Sequence, residues 1–373
     1  MKRSKTAPVR KDLESKIVLL SGPRQVGKTT LSKMISKDFD YLNHDYAEHR
    51  IAIKELSWDR KKELIILDEL HKMKNWKSWL KGVYDVEGVL PRLLVTGSAR
   101  LDIVRKMGDS LAGRFFCHRL HPLDLKELES HTPSHESFET LMRVGGFPEP
   151  FLKGTEKDYL RWRRSHLDII LRQDLIDLEK VHDIQAIETL VELLRHRVGA
   201  PLSMSSLARD LERAPKSVKR WTTLLENLYV VFLVHPYHRN VARSLLKEPK
   251  VYFNDIGLVP DHGKRLENLV ACGLHKELDR LSDENGHKTK LCYLRTKDKR
   301  EIDFAVVIDD EVSHLIEVKT SQDTPNKEFK HFSKFFPAAK KIQLVLNLKR
   351  EKTFPDATEV RKLTSWLTQL KLA

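Results

Sequence analysis

The chain has 373 residues, enough for two or three domains because a single core stops growing near roughly 250–300 residues. Its 67 Lys and Arg outnumber 53 Asp and Glu, giving a net charge of +14 that favours a polyanionic partner such as nucleic acid. Three scattered cysteines without CxxC spacing imply neither a disulfide framework nor a zinc finger, the basic start MKRSKTAPVRK lacks the apolar stretch of a signal peptide, and no run approaches the roughly 18 apolar residues of a membrane span, which together point to a cytoplasmic protein without a membrane partner.

The most informative stretch is Ile17 to Thr30, IVLLSGPRQVGKTT. A buried-strand run leads into Gly22, Pro23, Arg24, Gln25, Val26, Gly27, Lys28, Thr29 and Thr30, a complete phosphate-binding loop for a nucleoside triphosphate. The glycines let successive amide N–H groups turn toward phosphate oxygens. Lys28 is expected to reach the outer phosphates of ATP, and the Thr29 hydroxyl to ligate Mg2+.

Strand and helix patterns then alternate, as in an open parallel α/β sheet. A short candidate strand covers 41–44, and the apolar run Leu64 to Leu67 delivers Asp68 and Glu69 at its C-terminal end, where such sheets place their ligands. There Asp68 can hold Mg2+ and Glu69 can polarise the water that attacks the γ-phosphate. A strand over 92–96 ends in Thr96, Gly97 and Ser98, and either Ser98 or Thr96 is placed to contact the γ-phosphate or that water. Arg114 precedes a fifth strand, Phe115 to Leu120.

From about Lys126 to Gly199 the pattern turns helical, with a polar connector over 131–140, a rigid GGFPEP turn over 145–150 and a long charged helix over 159–180. Arg172 is a candidate γ-phosphate sensor there. Residues 202–237 read as helix, tight break at Ala214 and Pro215, helix and β-rich tail, the order of a winged helix-turn-helix. Lys216, Ser217, Lys219 and Arg220 open the second helix, where a recognition helix meets DNA; packing between proteins is the alternative use of such an element.

The last region begins near Lys250. Residues 265–278 read as an amphipathic helix holding Glu267, and LCYLRT, REIDFAVV and HLIEVKT as β runs. Glu317 and Lys319 are two apart and so project to one face of a strand. With Asp303 on a neighbouring strand and Glu267 on the helix, the carboxylates of Glu267, Asp303 and Glu317 are candidates for Mg2+, and Lys319 for orienting a water or steadying charge on a phosphodiester.

In order, GPRQVGKTT, LDELHKMKNW, VTGSARL, LAGRF, GGFPEP and PKVYFNDIGL resemble the prokaryotic AAA-type (AAA+) phosphate-loop ATPases that carry a C-terminal domain formerly of unknown function. Glu267, Asp303 and Glu317-x-Lys319 in turn resemble the PD-(D/E)XK nuclease fold, without the proline before the aspartate. The resemblance implies an α/β AAA+ parallel-sheet core over 1–125, a helical lid over 126–199, a winged helix-turn-helix over 200–240 and an α/β nuclease-like domain over 250–373. It also implies ATP and Mg2+ as cofactors and a homo-oligomer, such as a hexameric ring, in which Arg114 acts as an arginine finger on a neighbour's nucleotide. The function expected is an ATPase that couples turnover to DNA processing. The alternatives are a translocase or branch-migration motor on junction DNA whose nuclease fold only holds DNA, and an ATP-dependent switch that remodels a protein partner.

Overall fold

Two of the five strands in the first 121 residues, IVLLS and LIILD, are buried at every position. The computed structural model describes residues 1, 3–97, 111, 113–129, 134–174, 183–238 and 248–373. They form two units, Met1–His121 with Asn227–Tyr229, and Pro122–Glu226 with Val230–Ala373.

In chain order the first unit contains α1 (Thr6–Asp12), β1 (Ile17–Ser21), α2 (Lys28–Lys33), β2 (Phe39–Asn43), α3 (Ala47–Glu55), β3 (Leu64–Asp68), α4 (Trp76–Glu87), β4 (Arg92–Gly97) and β5 (Phe115–Arg119). The strands pair in parallel in the order β2-β3-β4-β1-β5. Burial on both faces explains why β1 and β3 read as continuous apolar runs instead of alternating ones. One face packs Leu19, Ile65, Leu67 and Val95 against Trp76, Leu80 and Val83 of α4. The register sets Ser21 beside Gly97 and Asp68 beside Thr96, so the ends of β1, β4 and β3 form one C-terminal edge.

The second unit begins with α5 (Leu125–Leu128), α6 (Ser134–Val144), α7 (Pro148–Lys153), α8 (Glu156–Ile169), which continues as a π-helical turn over Ile170–Asp174, and α9 (Ile184–Arg195). Two of these differ from expectation. The polar-looking stretch 131–140 enters α6 at Ser134, because Phe138, Leu141 and Met142 recur at helical spacing and are all buried. The long helix expected over 159–180 leaves α-helical geometry at Ile170, and residues 175–180 lie outside the described set. In GGFPEP, Gly145 is left-handed (φ 75°) and Pro148 starts α7, the first helical position being the one where its missing N–H costs nothing.

Helices α10 (Met204–Asp210) and α11 (Pro215–Asn227) follow, with the break between them carried by Glu212 at φ 52°. The β-rich tail after α11 enters a larger sheet. It is β6 (Val231–Pro236), which pairs antiparallel with β7 (Lys250–Phe253) and parallel with β8 (Thr289–Arg295). The expected boundary between 240 and 250 therefore falls inside one sheet. That sheet also takes in β9 (Glu301–Ile308), β10 (Glu311–Lys319), β11 (Lys340–Val345), β12 (Lys352–Thr353) and β13 (Thr358–Lys362), in the order β12-β13-β11-β10-β9-β8-β6-β7. Helix α12 (His262–Asn285) packs on β7, β8 and β10, while α13 (Glu328–Phe332) inserts Phe329 and Phe332 among Ala305, Val307 and Leu315, and α14 (Leu363–Thr368) closes the chain.

Asp255 ties several of these pieces together. Its carboxylate accepts from the Tyr159 hydroxyl of α8 (2.9 Å) and the Gly257 N–H (3.1 Å), and a Cβ on Gly145 would meet its Oδ1 at 2.2 Å. Full burial pushes its pKa up to about 6 despite those hydrogen bonds. The folded chain therefore holds this proton up to about pH 6 while the unfolded chain releases it near 4, so the group costs about 3 kcal/mol as pH rises through that window. Asp255→Asn is expected to remove that slope. Urea unfolding of both proteins at pH 4.5 and 7 should show the variant gaining stability relative to wild type at the higher pH; parallel changes would refute it.

Candidate functional site

The phosphate loop leaves β1 with backbone geometry that few side chains tolerate. Gly22 has φ 148° and packs so closely on Leu120 that a Cβ would lie 2.3 Å from its carbonyl oxygen. Gln25 and Gly27 are left-handed, at φ 59° and 97°. Lys28 opens α2, and its Nζ, buried, donates to the carbonyls of Gly22 (3.0 Å) and Pro23 (2.8 Å), so the ammonium lies across the loop.

Asp68, at the end of β3, is the hub of the sheet edge. Its Oδ2 accepts from Thr29 Oγ1 (2.8 Å) and the Tyr41 hydroxyl (2.7 Å), and its Oδ1 from Thr96 Oγ1 and the Glu69 N–H (3.1 Å). A hydroxyl and a carboxylate in contact, both hard oxygen donors, fit Mg2+, with Thr29 and Asp68 as the residues that would hold it. Thr96, one of the two residues expected to reach the phosphate edge, thus bonds Asp68. Ser98, the other, lies outside the described residues.

Glu69 is held in the left-handed region at φ 56°, and its N–H also donates to the Thr96 carbonyl (3.0 Å). Its Oε2 is buried and has no hydrogen-bond partner among the described residues; His71 Nε2 stands 3.7 Å away. Burial raises its pKa, with Lys28 pulling the other way and Asp68 adding to the rise. A buried carboxylate with raised basicity and an uncommitted oxygen beside a phosphate loop has the properties of a general base.

Two supporting residues are invisible to motif reading. The Tyr41 hydroxyl has its own proton tightened by burial and by Asp68. Arg3, in the basic start of the chain, is buried and donates to the carbonyls of Val26 (2.8 Å) and His121 (2.5 Å), fastening the phosphate loop from behind. Only its position within a charged run was visible in the sequence. Arg3→Ala is expected to weaken ATP binding by roughly 5–100-fold, the effect of about 1–3 kcal/mol for hydrogen bonds from a charged donor. Calorimetric titration with a nonhydrolysable ATP analogue would show it.

Arg114 lies at the opposite edge of the sheet, where Ile17 pairs with Phe115. Its guanidinium grips both Asp85 oxygens (2.6 and 3.3 Å), and its carbonyl accepts from Ile17. Arg172 is exposed and pairs with Asp168 (2.8 Å) and Glu188 (3.5 Å).

In the second unit, Lys216, Lys219 and Arg220 are exposed along α11 and Ser217 is half-buried, while Val218, Trp221, Leu224 and Leu225 face inward. The sheet behind assembles the four residues expected there. Asp303 sits where β9 carries one residue more than β8 between paired positions, a bulge that redirects side chains. Asp303 Oδ2 accepts from the Val318 N–H (3.0 Å), and Glu317 Oε2 from the Asp303 N–H (3.3 Å). Glu317 Oε1 accepts from Lys319 (2.6 Å) and Asn326 (2.8 Å), whose backbone is in turn held by buried Gln343. Glu267 Oε1 accepts from the Tyr252 hydroxyl (2.7 Å). Burial first, and Asp303 next, raise the pKa of both Glu267 and Glu317.

Lys250, which the sequence gave no reason to single out, stands within this group. It is 1 % exposed, with Nζ 2.7 Å from Glu301 Oε1 and 3.6 Å from both Glu267 Oε1 and Asp303 Oδ1. Burial works against its charge, but the three carboxylates outweigh it and raise its pKa. With an ammonium already between Glu267 and Asp303, and both Glu317 oxygens committed, these residues do not fit a divalent cation, which requires carboxylate oxygens at about 2.0–2.1 Å for Mg2+.

Residues 14–129 match the family described as AAA domain, 135–268 the Domain of unknown function (DUF8612) and 262–366 the Domain of unknown function (DUF4143). The chain is 30% identical over 264 residues to uncharacterized protein Rv2008c of Mycobacterium tuberculosis, covering 69% of this chain and 58% of that protein, and equally to Mb2031c of Mycobacterium bovis. It is 22% identical to uncharacterized protein MJ1637 of Methanocaldococcus jannaschii over 70% of this chain and 68% of that one. The chain thus spans 58% of the length of its mycobacterial relatives. A solved STAND protein with a tetratricopeptide repeat sensor, from Pyrococcus horikoshii, aligns at TM-score 0.22 and 12% identity over 76% of this chain and 48% of that chain. Among the described residues no helix is long and apolar enough to cross a membrane. Motif, sheet and family match agree: residues 14–129 match the AAA domain family and carry a phosphate loop on a parallel α/β sheet.

Proposed function

We propose that the protein hydrolyses ATP with Mg2+ and couples turnover to DNA. The observation that carries the first half is the Asp68 hub, which gathers Thr29, Thr96 and Glu69 at one edge beside Lys28. In this reading the loop amides and Lys28 bind the phosphates, Thr29 and Asp68 hold Mg2+, and Glu69 takes the proton of the attacking water. Arg114 would complete a neighbour's site in a homo-oligomer.

The DNA half is supported by the exposed Lys216, Lys219 and Arg220 of α11 and by the net charge of +14. Lys250 favours the version in which the nuclease-like sheet holds DNA without cutting it, as in a translocase or a branch-migration motor. The test is ATP hydrolysis alone and with single-stranded, duplex and four-way-junction DNA, with strand integrity read in the same tubes. One DNA form should stimulate hydrolysis without strand loss. Replacing Lys216, Lys219 and Arg220 by Ala should weaken that DNA and lower its salt slope by about 2–3. Hydrolysis indifferent to every DNA would instead favour an ATP-dependent switch acting on a protein partner.

A further inference from the structure

The carboxylates of Glu267, Glu301, Asp303 and Glu317 come from α12, β9 and β10, and buried Lys250 from β7 meets three of them. Its ammonium also stands 5.4 Å from the centre of the Tyr293 ring, a favourable distance for a cation over an aromatic face. The lysine is fixed from both sides of its backbone. Its strand pairs with β6, while Lys250 itself bridges to Pro201, and Leu202 N–H donates to the Pro249 carbonyl (2.7 Å). Above Glu267 the turn at Gly199 approaches so closely that a Cβ there would lie 2.7 Å from Oε2. The cluster therefore carries its own positive charge: the Lys250 ammonium is buried beneath Glu267, Glu301 and Asp303, whose side chains remain partly exposed.

We propose that Lys250 is the resident cation of this cluster and keeps divalent metal out of it, so that the nuclease-like sheet is a binding scaffold without metal-dependent cleavage. Two features carry this. A metal bridging Glu267 Oε1 and Asp303 Oδ1 would take the two oxygens that stand 3.6 Å from Nζ, and would set two positive charges beside a buried ammonium. Glu317, the remaining candidate ligand, already spends one oxygen on Lys319 and Asn326 and the other on the Asp303 amide. The proposal deepens the non-cutting reading given above, but its test reads metal binding and is independent of ATP turnover and of DNA.

The experiment is titration of the nucleotide-free full chain with Mn2+, following free Mn2+ by electron paramagnetic resonance and the unfolding midpoint by calorimetry. Wild type and Asp303→Asn should give superimposable Mn2+ curves, because the cluster takes up none. Lys250→Ala should gain a site, with Mn2+ raising its unfolding midpoint by several degrees, and Lys250→Ala combined with Glu267→Gln should lose that gain. Lys250→Met, which keeps the buried stem, serves the same purpose if the alanine variant does not fold. Mn2+ uptake by wild type that disappears in Asp303→Asn would overturn the proposal, as would a folded Lys250 variant that gains no site.

Discussion

Glu69→Gln is expected to bind ATP normally and to hydrolyse it about 10²–10⁴-fold more slowly, the range for loss of a positioned general base. The substitution keeps the volume of the side chain and a polar oxygen in the buried position now held by Oε2. It also leaves intact the backbone bond from residue 69 to the Thr96 carbonyl. What disappears is a carboxylate whose affinity for protons burial has raised, beside Lys28 and next to the Asp68 hub. Because Asp68, Thr29 and the loop are untouched, affinity for a nonhydrolysable analogue should stay within a few-fold of wild type while phosphate release collapses. Equal loss of binding and turnover would assign Glu69 a structural role, and unchanged turnover would place the base elsewhere.

Lys250→Ala is expected to destabilise the second unit by about 3–5 kcal/mol, the usual consequence of removing one partner from a buried ionic group. Three carboxylates lose their common counter-charge, and the side chain leaves a space beside Tyr293. In a unit of this size that loss lowers the unfolding midpoint by on the order of 10 °C. Substitution of Lys288, an exposed lysine paired with exposed Asp310 at 2.8 Å, is the natural control, since surface pairs contribute about 1 kcal/mol or less. A Lys250→Ala protein as stable as that control would mean the cluster tolerates its charge imbalance.

Much of the first unit was legible because its signals are local. The phosphate loop carries its chemistry in consecutive residues, and β1, β3 and β4 are short apolar runs that end in Ser21, Asp68 and Gly97. Glu317 and Lys319 were also readable, since a spacing of two along a strand fixes a shared face, whereas the bulge at Asp303 leaves no mark in the spacing. What escaped depends on contacts distant in sequence. Arg3 supports the loop across 23 residues to Val26, and β6 finds β8 more than fifty positions away, which no periodicity announces. Lys250 looked like any lysine beside a proline; its burial follows from the pairing of β6 and β7 and from α12 packing over them. Residues 131–140 misled because Ser, His and Glu dominate their composition, while Phe138 followed by Leu141 and Met142 supplies the apolar stripe of α6.

The most direct test of the central claim is the rate of phosphate release from ATP by the full chain in Mg2+, measured beside Lys28→Ala. Lys28 spans the loop through the Gly22 and Pro23 carbonyls, and in the function proposed above its ammonium is the charge on which phosphate binding turns. Turnover that requires Mg2+ and vanishes in Lys28→Ala is the expected result. Turnover that persists in that variant, or wild-type protein that neither binds nor hydrolyses ATP, would contradict the account.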